Sequence, residues 1–103
     1  MAGKCDVSLI LPCYNEAEHF SKSVPRIIEV LDQTDYNWEI IFIDDASNDK
    51  TSLMIKNIIK KYPRKQLSAY YHEKNQGRGA CVLEGIWEAQ GRRIVSLMAT
   101  CST

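Results

Sequence analysis

The sequence has no long apolar run: its hydrophobic stretches stop after a few residues, as at Ile40–Ile43. A membrane-spanning helix needs about 20 apolar residues in succession, so none is expected. The opening Met1-Ala-Gly-Lys-Cys5-Asp6 lacks the apolar centre of a signal peptide and runs straight into a strand pattern. Glycine and proline are scarce, at 5 and 3 of 103 residues, which excludes collagen-like repeats and low-complexity linkers. With 45% hydrophobic and 9% aromatic residues, wholesale disorder is excluded as well. Cys5, Cys13, Cys81 and Cys101 form no CxxC pair, and His19 and His72 lie in unrelated segments, so no zinc site is expected. Without a leader, the expectation is free thiols in a reducing, cytoplasmic compartment. Cys13 and Cys81 sit in patterns that suit buried small hydrophobes. No Ser/His/Asp arrangement stands out, and both histidines read as surface or half-buried residues rather than catalytic bases.

What is present is a balanced but unevenly distributed charge. Lysine plus arginine and aspartate plus glutamate both number 13. Residues 1–49 hold three basic against ten acidic residues, and residues 50–103 hold ten against three. A basic half can face phosphates or membrane headgroups, or it can be the solvated lysine faces of two helices; both readings stand. A nucleic-acid role is not expected, because the basic residues come without interleaved aromatics.

The spacing predicts alternating strands and helices. Val7–Leu11 is a strand stopped by Pro12. Val24, Ile27, Ile28 and Leu31 make one face of a helix, and Pro25, tolerable in a first turn, places its start near Ser21–Val24. Trp38–Ile43 is a strand covered on both faces. A helix over Lys50–Tyr62 carries Met54, Ile55, Ile58, Ile59 and Tyr62 as its stripe, and Pro63 ends it. Leu67–His72 is a third strand, Asn75–Gly79 a turn, and Ala80–Gln90 a helix with Val82, Leu83, Ile86 and Trp87 inward and Gly91 as its stop. Arg93–Met98 is the fourth strand. The order βαβαβαβ implies a three-layer α/β/α sandwich on a mainly parallel sheet, one domain over residues 1–103. Ligands of such sheets bind outside the carboxyl ends of the strands, which singles out the loops Pro12–Glu18, Asp44–Asp49, Asn75–Gly79 and Ala99–Thr103.

Asp44-Asp45 is the sharpest feature of those loops. Two carboxylates directly after Ile43 can hold a ribose hydroxyl, a base N–H or a cation. Helix capping explains Asp49, and in part Ser47, but not two adjacent acids at a strand end. Pro12-Cys-Tyr-Asn-Glu16 offers an aromatic face in Tyr14 and an acceptor in Glu16, or simply a turn that closes the strand. Asn75-Gln-Gly-Arg-Gly79 opens a helix, so its free N–H groups and the Arg78 guanidinium suit a diphosphate; an ordinary glycine turn is the alternative. It is neither GxGxxG nor a P-loop. Gly85, inside a helix, reads as close packing against the sheet.

Val7-Ser-Leu-Ile-Leu-Pro-Cys-Tyr-Asn-Glu16, Glu39-Ile-Ile-Phe-Ile-Asp-Asp-Ala-Ser-Asn-Asp-Lys-Thr51 and Asn75-Gln-Gly-Arg-Gly-Ala80, with Gly85 and Ala89-Gln-Gly91, together resemble family 2 glycosyltransferases. Within that family the motifs are most similar to dolichyl- or polyprenyl-phosphate sugar transferases. The resemblance covers residues 5–98 and implies a GT-A fold, with this chain as its nucleotide-sugar-binding half and the acceptor half absent. It implies a nucleoside diphosphate sugar, of the UDP or GDP type, as partner. It places Pro12, Tyr14 and Glu16 around the nucleobase and ribose, Asp44 and Asp45 as the carboxylates that hold them, and Arg78 near the diphosphate. The catalytic residues of such enzymes would lie outside this chain.

The resemblance also implies Mg²⁺ or Mn²⁺, held by an Asp-x-Asp pair after the fourth strand. Here Ala99 and Cys101 occupy those positions, and neither offers a hard oxygen ligand, so no metal ligand is assigned. Two functions are therefore expected: a glycosyltransferase donor domain serving a polyprenyl phosphate acceptor, or a non-catalytic nucleotide-binding or self-assembly module that has lost the acid pair. Contact with a membrane surface and homo-oligomerisation complete the expected partners. A phosphoacceptor receiver-like domain is set aside, because it needs its acid pair after the first strand.

Overall fold

The computed structural model describes residues 5–15, 17–63 and 66–96. Seven elements alternate along the chain: β1 (Cys5–Cys13), α1 (Ala17–Asp32), β2 (Trp38–Asp44), α2 (Thr51–Lys61), β3 (Leu67–Tyr71), α3 (Arg78–Glu88) and β4 (Gly91–Ser96). The strands lie in the order β3-β2-β1-β4, every neighbouring pair parallel. One face of the sheet carries the larger core, in which Leu9, Leu11, Ile40 and Phe42 meet Phe20, Val24 and Ile28 of α1 and Ile55 and Ile58 of α2. The other face carries Ile10, Ile41 and Ile43 against Cys81 of α3. The expected α/β/α layering is therefore present. No helix among the described residues is long and apolar enough to cross a membrane.

Four sequence expectations change. Pro12 does not stop β1, which continues through Pro12 to Cys13 opposite Asp44. The odd-numbered residues of β1 bond towards β2, as in Asp45 N–H to Cys13 O at 2.8 Å. Pro12 faces the β4 side, where the described pairing ends at Ile10 with Ser96, so its missing N–H breaks no ladder bond among the described residues. Pro25 is not in a first turn but inside α1. The buried stripe Phe20, Val24, Ile28 outweighs the lost bond, and the carbonyl it frees belongs to Ser21, on the exposed side.

The inward face of α3 is also different. Leu83 is 68% and Trp87 86% exposed, Ile86 is exposed too, and Val82 only half-buried. The contact face is Cys81 and Gly85. A Cβ on Gly85 would stand 2.4 Å from Ile10 Cγ2, so the helix backbone rides directly on β1 and only small residues fit beneath it. We expect Gly85→Ala to lower the urea midpoint: overpacking against the fully buried Ile10 costs about 1–3 kcal/mol, more than the ~1 kcal/mol that alanine gains as a helix former. A raised midpoint would contradict this packing.

Gly91, lastly, does not stop α3 but begins β4. Its N–H donates to Ser8 Oγ at 2.7 Å, and a Cβ there would lie 2.6 Å from the Ser8 amide nitrogen. Ser8 in turn donates to Glu39 Oε2 at 2.5 Å, and Gln90 N–H donates to the same oxygen at 2.7 Å. This buried polar clasp fixes the entry of β4 at the amino ends of the strands.

Candidate functional site

Three loops meet at the carboxyl edge of the sheet. β1 delivers Cys13-Tyr14-Asn15, β2 delivers Asp44–Asp49, and β3 delivers His72 and the turn up to Arg78, the first residue of α3. Asn15 joins the first two. Its side-chain oxygen accepts from the N–H groups of Asn48 (2.6 Å) and Asp49 (3.3 Å), and its own N–H donates to Ser47 Oγ at 3.0 Å. Asp49 accepts from Ala17 N–H at 3.3 Å and from Thr51 N–H at 2.9 Å, so it secures the starts of both α1 and α2. Ser47 does not cap α2; its hydroxyl and N–H both donate to Asp44 Oδ1, at 2.5 and 3.3 Å. Asn15 and Ala46 hold left-handed backbone, with φ of 50° and 62°, which is uncommon for residues with a side chain and, among the described residues, confined to this edge.

The paired acids do different work. Asp44 and Asp45 are 3% and 4% exposed. Asp45 spends both oxygens on the third loop: Oδ1 accepts from Gln76 N–H (2.8 Å) and Oδ2 from Gly77 N–H (2.9 Å). Oδ1 also lies 2.8 Å from His72 Nδ1, and the other ring nitrogen of His72 bonds to Glu84 Oε1. Asn75 Nδ2 donates to the Asp45 carbonyl at 3.3 Å. Asp45 thus ties the end of β2 to the turn that sets Arg78 at the head of α3.

Burial opposes the charge on both partners of the His72–Asp45 contact, and the contacts overcome it. The His72 ring, 7% exposed, is desolvated, yet the hydrogen bonds to Asp45 and Glu84 and their charges raise its pKa above the ordinary value. Asp45 is desolvated too, yet His72 and the Gln76 and Gly77 N–H groups lower its pKa. Burial, followed by the charges of Asp45, Glu84 and Asp44, pushes the Cys81 thiol up to about 11. A raised histidine stabilises the fold below its unfolded pKa of about 6.5 and loses that contribution as pH rises through the folded value. A lowered aspartate stabilises above its unfolded value of about 3.9 and loses it as pH falls through the folded one. The pair contributes most at mildly acidic pH. We expect the urea midpoint to decline from pH 6 towards pH 9, and the decline to flatten in His72→Gln.

The structure therefore places the residues singled out from the sequence as follows. Asp44 and Asp45 are buried at the strand end, Pro12 is buried beneath it, and Tyr14 (44% exposed) and Arg78 (exposed) stand at its surface. Glu16, Ala99 and Cys101 lie outside the described residues. Asn15, His72 and Glu84 escaped the sequence reading as site residues. The separation of histidine and cysteine ligands is corrected as well: Asp45, His72 and Cys81, from three different elements, bring one ligand atom each to within 4.8 Å of one another. A thiol and an imidazole are not the hard oxygen donors that Mg²⁺ or Mn²⁺ takes, so among the described residues this cluster does not match the ion expected by resemblance.

Comparison with known proteins bears on this geometry directly. The model of glycosyl transferase family 2 matches residues 8–99. A dolichyl-phosphate beta-glucosyltransferase of Trichomonas vaginalis is 31% identical over 102 residues, covering 94% of this chain and 31% of that protein. An undecaprenyl-phosphate 4-deoxy-4-formamido-L-arabinose transferase of Pectobacterium atrosepticum is 29% identical, over 91% of this chain and 28% of its own length. Among solved structures, a mannosyltransferase of Pyrobaculum calidifontis, in complex with GDP-Man and Mn²⁺, superposes with a TM-score of 0.82 at 24% identity. It is covered over 27% of its chain and this chain over 92%. TarS of S. aureus in complex with UDP-GlcNAc gives 0.67 at 22% identity, over 91% of this chain and 26% of its own. These neighbours share the GT-A fold. The chain spans less than a third of the length of each of these proteins.

Proposed function

This chain belongs to glycosyl transferase family 2, and from that membership we propose that its strand-end edge is the donor site of a sugar transferase, taking a nucleoside diphosphate sugar for transfer to a polyprenyl phosphate. The observation that carries the reading is the single edge on which Tyr14, Asp44 and Arg78 are assembled by the Asn15 and Asp45 hydrogen bonds. Tyr14, exposed on its loop, stacks on the base. Asp44, an acceptor-only carboxylate, accepts hydrogen bonds from N–H or hydroxyl groups of the nucleoside. Asp45 acts as a positioning residue, since its oxygens are engaged by the turn. Arg78 and the first-turn amides of α3, which have no acceptor within the helix, meet the diphosphate. Among the described residues no group of three or more carboxylates offers Mg²⁺ or Mn²⁺ its hard oxygen donors.

Calorimetric titration with UDP and GDP tests the reading. One nucleotide is expected to bind, with Arg78→Ala about 10–100-fold weaker, the loss of a charge-assisted bond worth ~1.5–3 kcal/mol. No heat with either nucleotide, or an unchanged affinity in Arg78→Ala, contradicts it. The second reading, a nucleotide-binding or self-assembly module without catalysis, is favoured by Ala99 and Cys101, where acids would hold the metal. It predicts that the double variant Ala99→Asp, Cys101→Asp gains Mn²⁺-dependent nucleotide binding that the parent chain lacks.

A further inference from the structure

Beneath the turn that carries Arg78, two side chains converge on one histidine nitrogen. His72 Nδ1 lies 2.8 Å from Asp45 Oδ1 and 4.0 Å from Cys81 Sγ. The ring's other nitrogen, Nε2, is bonded to Glu84 Oε1. Asp45, His72 and Cys81 come from the ends of β2 and β3 and the first turns of α3, and Asp45 and Cys81 are fully buried.

If Nε2 carries the ring proton towards Glu84, Nδ1 presents a lone pair to a carboxylate oxygen, and only something positive between them makes that contact favourable. A proton satisfies it, and so does a metal ion. A ligating histidine whose second nitrogen is held by a carboxylate is the usual outer arrangement of a metal site, and the Gln76 and Gly77 N–H groups supply the same support to Asp45. Three carboxylates, Asp44, Asp45 and Glu84, set the local field, and no lysine or arginine contact with them is seen among the described residues.

We propose that Asp45, His72 and Cys81 form a binding site for a borderline-soft divalent transition metal of the zinc class. The ion takes one carboxylate oxygen, Nδ1 and the sulfur, with water in the fourth position. Tetrahedral bonds of about 2.0 Å to oxygen and nitrogen and about 2.3 Å to sulfur place the ligand atoms ~3.3–3.6 Å apart. The Asp45–His72 contact opens by roughly half an ångström, the Cys81–His72 contact closes by about as much, and the Asp45–Cys81 edge, which lies within 4.8 Å, closes by up to about 1.3 Å. The thiol proton and the Nδ1 proton leave to solvent, and nothing is oxidised or reduced. Hard Mg²⁺ and Mn²⁺ are poor occupants, so this site is distinct from the one expected after β4. An ion there would rigidify the turn from Asn75 to Gly77.

Cobalt(II) added to the chelator-stripped chain reads the site without reference to nucleotide or activity. The expected result is a one-to-one near-ultraviolet sulfur-to-cobalt band with visible bands of tetrahedral intensity. The spectrum is retained in Cys5→Ser, Cys13→Ser and Cys101→Ser, abolished in Cys81→Ser, and weakened at least about tenfold in His72→Gln. Zinc displaces the cobalt and raises the melting temperature of the unmutated chain; excess manganese does neither. Absence of the band in the unmutated chain, or its survival in Cys81→Ser, overturns the proposal.

Discussion

Replacing Asp45 with alanine should loosen the carboxyl edge of the sheet and cost the fold about 3–5 kcal/mol, the usual consequence of removing one partner from a buried charged contact. The loss is large because one side chain serves three elements. Without it the Gln76 and Gly77 N–H groups lose their acceptor and His72 keeps only Glu84. Against a total stability of roughly 5–15 kcal/mol, that is about a fifth or more of what holds a domain folded. With a urea slope of about 1–3 kcal/mol per molar, the midpoint should fall by about 2 M. Amide exchange gives the local readout: Gln76 and Gly77 should lose protection while the α1 and α2 amides keep theirs under native conditions. Asp45→Asn, which retains one acceptor oxygen, should lie between the two. Equal stability of Asp45→Ala and the parent chain would mean that the turn is held by something other than this carboxylate.

Phe42→Ala should be comparably damaging, by a different cause. Phe42 is the fully buried centre of β2, and its ring meets that of Phe20 at 5.5 Å between centroids, tilted by 50°. Truncation removes the ring's burial and leaves a cavity between the sheet and α1, a combined cost of about 3–5 kcal/mol. For a domain of about this size each kcal/mol moves the melting temperature by roughly 4–8 °C, so a fall of about 12–40 °C is expected. Trp87→Ala provides the contrast. A tryptophan so exposed should change stability by no more than about 0.5 kcal/mol, although composition alone would rank it with Phe42. If scanning calorimetry found the two variants equally destabilised, the placement of α3 would be wrong.

That contrast shows where the sequence was readable. Strand β2 was legible because an unbroken apolar run followed by two acids has few other meanings, and α2 because its stripe is wide and its lysines fall off it. On α3 the 3.6-residue period found the larger apolar side chains, but the face on the sheet is the one with the smallest residues. Close approach to Ile10 rewards Cys81 and Gly85 and turns Leu83 and Trp87 outward. The glycine inside the helix was the available signal. Pro25 misled because a proline penalty is local, whereas the burial of Phe20, Val24 and Ile28 spans the whole helix.

At the site, Asp44, Asp45, Tyr14 and Arg78 stand out one segment at a time. The His72–Asp45–Glu84 contact does not, since it is made by three elements whose adjacency only the β3-β2-β1-β4 order creates. Asn15 was visible as an amide beside an aromatic, but its task of joining two loops depends on a left-handed backbone that sequence does not announce.

The proposed donor site puts a nucleoside diphosphate on the loops at the carboxyl ends of these strands. Mapping amide chemical shifts of the ¹⁵N-labelled chain during titration with GDP and with UDP tests it most directly. Saturable shifts are expected for one of the two nucleotides, concentrated at Tyr14–Asn15, Asp44–Asp49 and Gln76–Ala80. Shifts gathered instead at the opposite edge, around Glu39, Ser68 and Gln90, or no shifts at all, would contradict it.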